Sequence, residues 1–206
     1  MNAVPDRMSA QDRREQILLA AAAVFGERGY AGGTTDAIAK QAGISQAYVV
    51  RMFGSKEKLF SAVGKMASER IIEGFRAAIA EFPESATDQQ KQQAMGEAYA
   101  DLMEDRGLLL CLLQLFSQGH DPVLGPQGRR CFLDVFRVVR DEAGLSPQVA
   151  VQFFASGMLM MILMAMRMQD ATTDLDAAQF LSVVLGPLEA QVVPLMSQPP
   201  LDDARR

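Results

Sequence analysis

The segment spanning residues 34–60, TTDAIAKQAGISQAYVVRMFGSKEKLF, restricts the possible fold more than any other part of the chain. Gly43 and Gly54 divide it, because a glycine just past the last turn of a helix adopts the left-handed conformation at little cost. Ser45 and Ser55 stand where the next helices would begin, and serine is a strong N-cap residue. The pattern predicts a helix, a tight turn and a second helix, followed at once by a third.

A helix, a glycine-containing turn and a second helix make up the helix-turn-helix motif, whose second helix lies in a DNA major groove. Thr35 is the predicted N-cap of the first helix, and residues 46–53 form the second. Any short pair of antiparallel helices has the same sequence punctuation. The motif alone therefore leaves two interpretations open, a DNA-reading element and a structural helical hairpin.

Composition and charge are those of a globular protein with two unlike parts. The 206 residues are 49% apolar and 22% charged, which suits one or two domains with a sizeable core. Residues 1–60 carry eight basic and six acidic side chains, whereas the remainder carries twelve basic and nineteen acidic ones. A slightly basic N-terminal part on an acidic body fits a small DNA-reading module joined to a different domain. Chance asymmetry of a solvated surface is the alternative.

Helical periodicity continues along the rest of the chain, with no strand-type alternation of useful length. Ser9 and Asp12 resemble a capping box that opens a helix ending near Arg28. A long helix is predicted over residues 55–82, and Pro83 stops it. The remaining predicted helices cover residues 88–105, 107–117, 126–143, 147–169 and 177–197.

The predicted fold class is all-α. A three-helix head with the helix-turn-helix, residues 9–55, is joined by the long helix to a helical ligand-binding and dimerisation domain, residues 56–197. Nothing rich in Gly and Ser separates the two parts, so the long helix should act as a rigid connection. Residues 198–206 are predicted to be a disordered tail. Cys111 and Cys131 lie in apolar helical segments and are expected to be buried, reduced thiols.

Residues 153–166 are apolar on every face of their predicted helix. Such a helix must be buried all round, and in a small bundle a second subunit would cover one of its faces. We therefore expect a homodimer through the helices at about 147–169 and 177–197. The alternative is the central helix of a monomeric bundle. The apolar stretch is shorter than the roughly 20 residues that span a bilayer, so no membrane association is predicted.

The N-terminal portion closely resembles TetR-family transcriptional regulators over about residues 12–60, a quarter of the chain. The residues that carry the resemblance are Ile17, Ala20, Ala21, Phe25, Gly29-Tyr30, Thr34-Thr35, Ile38-Ala39, Ala42-Gly43-Ile44-Ser45 and Phe53-Gly54-Ser55-Lys56-Glu57-Lys58-Leu59-Phe60. The resemblance implies a cytoplasmic homodimer that binds a palindromic double-stranded DNA operator. It further implies a repressor that a small-molecule effector releases from DNA.

The resemblance also suggests which residues contact DNA. By position, residues 46–53 form the recognition helix, and Lys56 and Thr35 match the family's phosphate-contacting residues, consistent with the affinity of helix N-termini and lysine for anions. The chain departs from the usual pattern at Val50, where many members have a tyrosine, and Tyr48 is expected to replace part of that contact. The predicted DNA-binding residues are Thr34, Thr35, Gln46, Ala47, Tyr48, Arg51, Met52 and Lys56.

Chemistry suggests what these side chains would contact. Gln46 suits an adenine edge, Arg51 a guanine or a phosphate, and Ala47 and Tyr48 the methyl groups of thymine. Val49 and Phe53 are expected to pack in the core of the head.

An effector is expected between the long helix and the helices at about 88–143, and it would be small and largely apolar. Tyr99 and Gln114 are the expected polar contacts, and a solvent-facing role is the alternative for each of them. Packing in the core is the alternative for the other residues of this set. The predicted ligand-binding residues are Phe75, Met95, Tyr99, Met103, Leu113, Gln114, Phe116, Phe132, Phe136 and Met161.

No catalytic residues, metal site or cofactor are predicted. The chain has one histidine, two unclustered cysteines and no glycine-rich phosphate loop after a strand, which leaves little to carry a reaction. The competing hypothesis to a DNA-binding regulator is a helical protein-interaction module without specific DNA binding.

Overall fold

The computed structural model describes residues 9–171 and 173–196, and all regular structure in that part of the chain is helical. The α-helices are α1 Ala10–Gly32, α2 Thr35–Gln41, α3 Gln46–Phe53, α4 Lys56–Ala80, α5 Asp88–Asp101, α6 Arg106–Ser117, α7 Leu124–Arg137, α8 Pro147–Ala165, α9 Leu175–Leu185 and α10 Glu189–Met196. Single turns of 3₁₀ or π helix extend or link several of them. The all-α prediction is confirmed. The predicted disordered tail lies outside the described residues.

The helix boundaries in the head follow the capping residues of the sequence. Ser9 and Asp12 form the predicted capping box, and Ser45 caps α3 through its side chain. One predicted cap is wrong, because the Oγ1 of Thr34 accepts the bond from the Ala37 amide at 3.1 Å. Thr35 is instead the first residue of α2. Adjacent threonines offer the same hydroxyl, and the chain uses the one whose backbone is extended.

Two glycines shape the head in the way the sequence predicts. Gly43 has φ +66° and turns the chain between α2 and α3. Gly29 has φ +73° and interrupts α1 near its predicted end, after which one more helical turn continues to Gly32. These backbone conformations are accessible to glycine at little steric cost.

The helix predicted over residues 177–197 is instead two helices. Gly186 has φ +50°, outside the right-handed helical region, and Pro187 follows it. The chain forms a 3₁₀ turn over Gly186–Leu188 before α10 begins. A proline removes a backbone donor, and the positive φ of the glycine redirects the chain, so the break occurs where both coincide.

Helix α6 lies at the centre of the packing, and its buried residues are Leu108, Leu109, Leu110, Cys111, Leu112 and Leu115. Glycines on its neighbours allow a close approach. A Cβ on Gly26 of α1 would lie 2.8 Å from the Cα of Gly107, and one on Gly64 of α4 would lie 2.4 Å from Leu115. Because α1 belongs to the head and α6 to the body, α4 is not the only connection between them.

Polar contacts cross the same junction. Arg70 on α4 forms ion pairs with Glu15 on α1 and with Asp105, which immediately precedes α6. The side-chain amide of Gln114 donates to the Gly26 carbonyl at 3.4 Å. The head is therefore held to the body by backbone contact, by ion pairs and by a hydrogen bond.

Buried thiols and apolar helices complete the body. Cys111 and Cys131 are free and buried, as predicted, and burial raises the pKa of the Cys111 thiol. In the described part of the chain, Pro147–Ala165 and Leu175–Met196 are long and apolar enough to span a bilayer by those two measures alone. The core helices of soluble proteins meet the same criteria, and the 3₁₀ turn at Gly186–Leu188 interrupts the second segment.

Replacing Gly107 with alanine should destabilise the protein, because the added Cβ would lie 2.9 Å from the Ala22 carbonyl oxygen. Backbone cannot move as cheaply as a side chain, so we expect a loss of about 1–3 kcal/mol in the free energy of unfolding. Urea denaturation followed by circular dichroism measures it. Gly74→Ala on α4 is the matched control, since its Cβ would have no neighbour closer than 3.8 Å. Equal stability of Gly107→Ala and Gly74→Ala would contradict the close helix contact.

Candidate nucleic-acid interface and effector cavity

The core of the head fixes the orientation of α3. Val49 and Phe53 are buried, which places the opposite face of the helix towards solvent. Phe25 and Phe60 pack edge to face, with ring centres 5.1 Å apart, and tie α1 to α4 beneath the motif. The expected packing role of Val49 and Phe53 is thus observed.

The solvent-facing side of α3 carries most of the predicted DNA-contacting residues. Gln46, Ala47 and Arg51 are exposed, while Tyr48 and Met52 are half-buried. The guanidinium of Arg51 lies 4.8 Å from the centre of the Tyr48 ring, a cation–π contact that holds both side chains on one face. Val50 is 43% exposed on this surface and has no polar group to offer a phosphate.

The two predicted residues at the start of α2 are linked to α3. Thr34 is exposed, and its hydroxyl oxygen is occupied by the helix cap. The side-chain amide of Gln46 donates to the Oγ1 of Thr35 at 2.9 Å, which joins the N-terminus of α3 to that of α2. Both helix N-termini therefore lie together at one edge of the head, where they favour an anion.

Lys56 stands at the first turn of α4 and is held by the end of α1. Its Nζ donates to the Ala31 carbonyl at 3.2 Å and lies 4.7 Å from the centre of the Tyr30 ring. The pKa of Tyr30 is raised by burial, then by the negative charges of Glu57 and Asp121. Sequence reasoning placed Lys56 at the interface but did not find Tyr30, whose adjacency to Gly29 was the available signal.

The N-terminal turn of α1 contacts the C-terminal ends of α2 and α3. Arg14 lies over the Phe53 ring at 5.2 Å, and Arg13 donates to Gln16 at 2.8 Å. Gln16 in turn donates to the Ala42 carbonyl at 3.1 Å, at the end of α2. These contacts bring two further guanidinium groups to the motif.

A cavity of about 380 Å³ lies in the body, among α4–α8 and the segment around Gly186. Phe75, Tyr99, Phe116, Phe132 and Met161 of the predicted set line it. Its volume is within the range of small-molecule sites, roughly 300–1,000 Å³. Tyr99 is buried, its hydroxyl donates weakly to the Gly157 carbonyl at 3.5 Å, and burial raises its pKa.

The other half of the predicted set lies outside this cavity. Met95 and Met103 are fully buried in the core, and Phe136 packs its ring against Phe154 at 5.7 Å. Leu113 and Gln114 line a different, more polar cavity of about 640 Å³ between α1 and α6. Periodicity identified the inward face of each helix but not which inward residues meet empty space.

One wall of the effector-sized cavity was not predicted. Five residues of α5 face it at helical spacing, and they are polar or small: Gln89, Gln92, Gln93, Gly96 and Glu97. A stripe of this composition is typical of a solvent-exposed helix face, so the sequence gives no sign that it lines a cavity. Phe153 and Phe154 of α8 were also missed, because their helix is apolar on every side.

Comparisons with known proteins agree with this architecture. The sequence profile for "Bacterial regulatory proteins, tetR family" matches residues 17–63. A curated relative from Mycolicibacterium smegmatis, the HTH-type transcriptional activator FasR, is 35% identical over 100 residues. That match spans 48% of this chain and 44% of the relative, so the chain is matched to less than half of the relative's length.

Solved structures share the fold. The TetR family regulator PfmR from Thermus thermophilus has a TM-score of 0.54 at 24% identity, over 77% of this chain and 86% of that one. A TetR regulator from Chloroflexus aurantiacus has a TM-score of 0.61 at 22% identity, over 91% and 93%. The matching N-terminal motif and the curated relative identify a transcriptional regulator rather than an enzyme. Residues 17–63 are a TetR-family DNA-binding domain, and the described part of the chain shares the fold of solved TetR-family regulators.

Proposed function

We propose that the protein is a one-component repressor that binds a palindromic operator as a homodimer and leaves it when a small, largely apolar effector binds. Residues 9–55 form the DNA-reading head and residues 56–197 the effector and dimer domain, and the protein works in the cytoplasm. The observation that carries the proposal is the exposed face of α3, with Gln46, Ala47 and Arg51 on one side of a short, doubly capped helix.

The proposed DNA contacts divide into two kinds. Lys56, Thr34 and Thr35 lie at helix N-termini and would contact phosphates, which fixes the register without reading sequence. The exposed side chains of α3 would reach base edges in the major groove. Tyr48 and Met52, half-buried beside them, would contribute apolar contacts, and Val50 supplies no hydrogen bond.

A dimer is supported by apolar surface left uncovered on the last helices. Val183 is 77% exposed, Met166 62% and Phe180 46%, all on or next to α8 and α9. Large apolar side chains left exposed on neighbouring helices are what an association site would present. Pairing through α8 and α9–α10 would cover it and set the separation of two α3 helices, which must be about 34–36 Å to read successive major grooves.

The effector site proposed is the 380 Å³ cavity rather than the larger one, because its walls are apolar and aromatic. A ligand that binds more tightly to a conformer with a different spacing of the heads would shift the population off DNA. The mechanism therefore requires a differential affinity for two conformers and no chemical reaction.

Activation is a second candidate, favoured by one observation: the curated relative from M. smegmatis is described as an activator. Transcript levels of the neighbouring genes in a strain lacking this protein separate the two. A rise on deletion supports repression, and a fall supports activation.

Operator binding is tested by fluorescence anisotropy with DNA flanking the protein's own gene. Lys56→Ala should weaken binding to every DNA sequence. It should also reduce the slope of log affinity against log salt concentration by about 1, the contribution of one phosphate contact. Gln46→Ala should cost about 1–3 kcal/mol at one base position and change the base preference there. Lys65→Ala is the matched control, since Lys65 is an exposed lysine farther along α4 that pairs with Glu69. Unchanged binding by both head variants would refute the site.

Dimerisation is tested by sedimentation of Val183→Glu, which places a charge on a side chain that is 77% exposed. The monomer should remain folded, because the residue contributes little to the core, whereas desolvating an unpaired charge opposes association. Val123→Glu is the control, since Val123 is 55% exposed but lies just before α7. A wild-type monomer at micromolar concentration, or a dimer unaffected by Val183→Glu, would contradict the proposed interface.

The cavity is tested by Gly157→Leu. This variant should still bind the operator, but the effector should no longer release it from the operator. Gly157 lines the cavity, and a Cβ built on it meets no atom within 4 Å, so a side chain can start at this position without a clash. Gly157→Ala is the smaller matched variant and should have a weaker effect. The measurement is release of the protein from operator DNA when an apolar extract of the host cells is added. If the extract releases Gly157→Leu as fully as the wild type, the effector binds elsewhere.

A further inference from the structure

The charges that line the effector cavity indicate which class of molecule it accepts, and this inference rests on the proposed function of that cavity. Glu97 is the charged residue among the described lining residues, and no lysine, arginine or histidine is among them. We infer that the effector is a lipophilic cation, whose apolar body lies among aromatic rings and whose positive group lies beside Glu97.

The inner wall of the cavity is aromatic. Tyr99, Phe75 and Phe153 form one run of neighbouring rings, with centres 6.4 and 5.6 Å apart. Phe116, Phe132 and Phe154 form a second run at 5.5 and 4.9 Å. Ring faces carry negative electrostatic potential, so any face that this wall turns towards the cavity would attract a cation rather than an anion at close range.

The mouth of the cavity is polar and acidic. Gln89, Gln93 and Glu97 on α5 are exposed to solvent while lining the cavity, which places the opening along this helix. Gln93 donates to a carboxylate oxygen of Glu97 at 3.1 Å, which holds that group at the opening. A second carboxylate oxygen remains for a ligand, since an ionised carboxylate accepts several hydrogen bonds.

The basic side chains nearest to Glu97 in the sequence are bonded to groups outside the cavity. Lys91, also on α5, donates to the Ala143 carbonyl at 2.9 Å, and Arg106 donates to the Met164 carbonyl at 3.3 Å. A ligand carboxylate or phosphate would therefore enter a cavity whose lining holds a negative charge and no positive one. Burying an unpaired anion there is unfavourable, whereas an amine or quaternary ammonium gains an ion pair and ring contacts.

The test compares three octyl probes of different charge: octyltrimethylammonium, 1-octanol and octanoate. The chain has no tryptophan, so isothermal titration calorimetry on the purified full-length protein replaces intrinsic fluorescence. We expect the cation to bind about tenfold more tightly than octanol, with octanoate weakest. Octanoate binding as tightly as the cation would overturn the inference.

A variant without the Glu97 charge tests whether the preference for cations comes from that residue. Glu97→Gln should reduce the ratio of cation affinity to octanol affinity by about fivefold, since the ion pair is partly exposed to solvent. Glu81→Gln removes the same charge from a residue outside the cavity lining and should leave the ratio unchanged. An equal ratio in wild type and Glu97→Gln would overturn the assignment to Glu97.

The outcomes also separate this inference from the proposed function. If all three probes bind with similar affinity and release the operator, the cavity is the effector site and the preference for cations is wrong. If none binds at millimolar concentration and none releases the operator, both the effector cavity and its cation preference fail.

Discussion

The backbone contact between α1 and α6 at Gly26 and Gly107 is the constraint on which the rest of the structure depends. Side chains between two helices can change rotamer and absorb a shift, but two backbones in contact cannot. The head is therefore fixed to α6 as well as to α4. Helix α6 also contributes Leu112 and Phe116 to the wall of the 380 Å³ cavity. One rigid element thus contacts both the cavity and the DNA-reading head, which is the arrangement that a ligand-controlled head requires.

The capping residues explain why so much of the fold could be predicted from the sequence. Ser9, Ser45 and Ser55 begin helices at their predicted positions, and Gly43 turns the chain between α2 and α3. These signals are local, because each depends on a few backbone groups next to the residue itself. The prediction of Thr35 as an N-cap failed because the position of the cap between adjacent threonines depends on backbone conformation rather than on side-chain type. The break at Gly186 required weighing a glycine and a proline together against an apolar pattern that continues through them.

The candidate sites were predictable to different degrees for a physical reason. The surface of α3 belongs to a short helix whose inward residues, Val49 and Phe53, are unambiguous, so its outward residues follow directly. The cavity depends on how several long helices leave a gap, which no single periodicity encodes. Met95 and Met103 have the same spacing and chemistry as the lining residues yet fill the core completely. The polar stripe of α5 was missed because a wall of a cavity and a solvated surface have the same composition.

The turn at Gly186–Leu188 and the residues just before it place the proposed effector site and the proposed dimer surface on one short piece of backbone. The lining of the 380 Å³ cavity includes Val184, Leu185, Pro187 and Leu188, while Val183, immediately before them, points an apolar side chain into solvent. A displacement of this wall by a bound molecule would therefore move the outward surface of α9 with it, over a distance of one or two residues. Communication between the cavity and a neighbouring subunit would need no route through the centre of the domain, and single substitutions at this turn would be expected to alter ligand response and subunit association together.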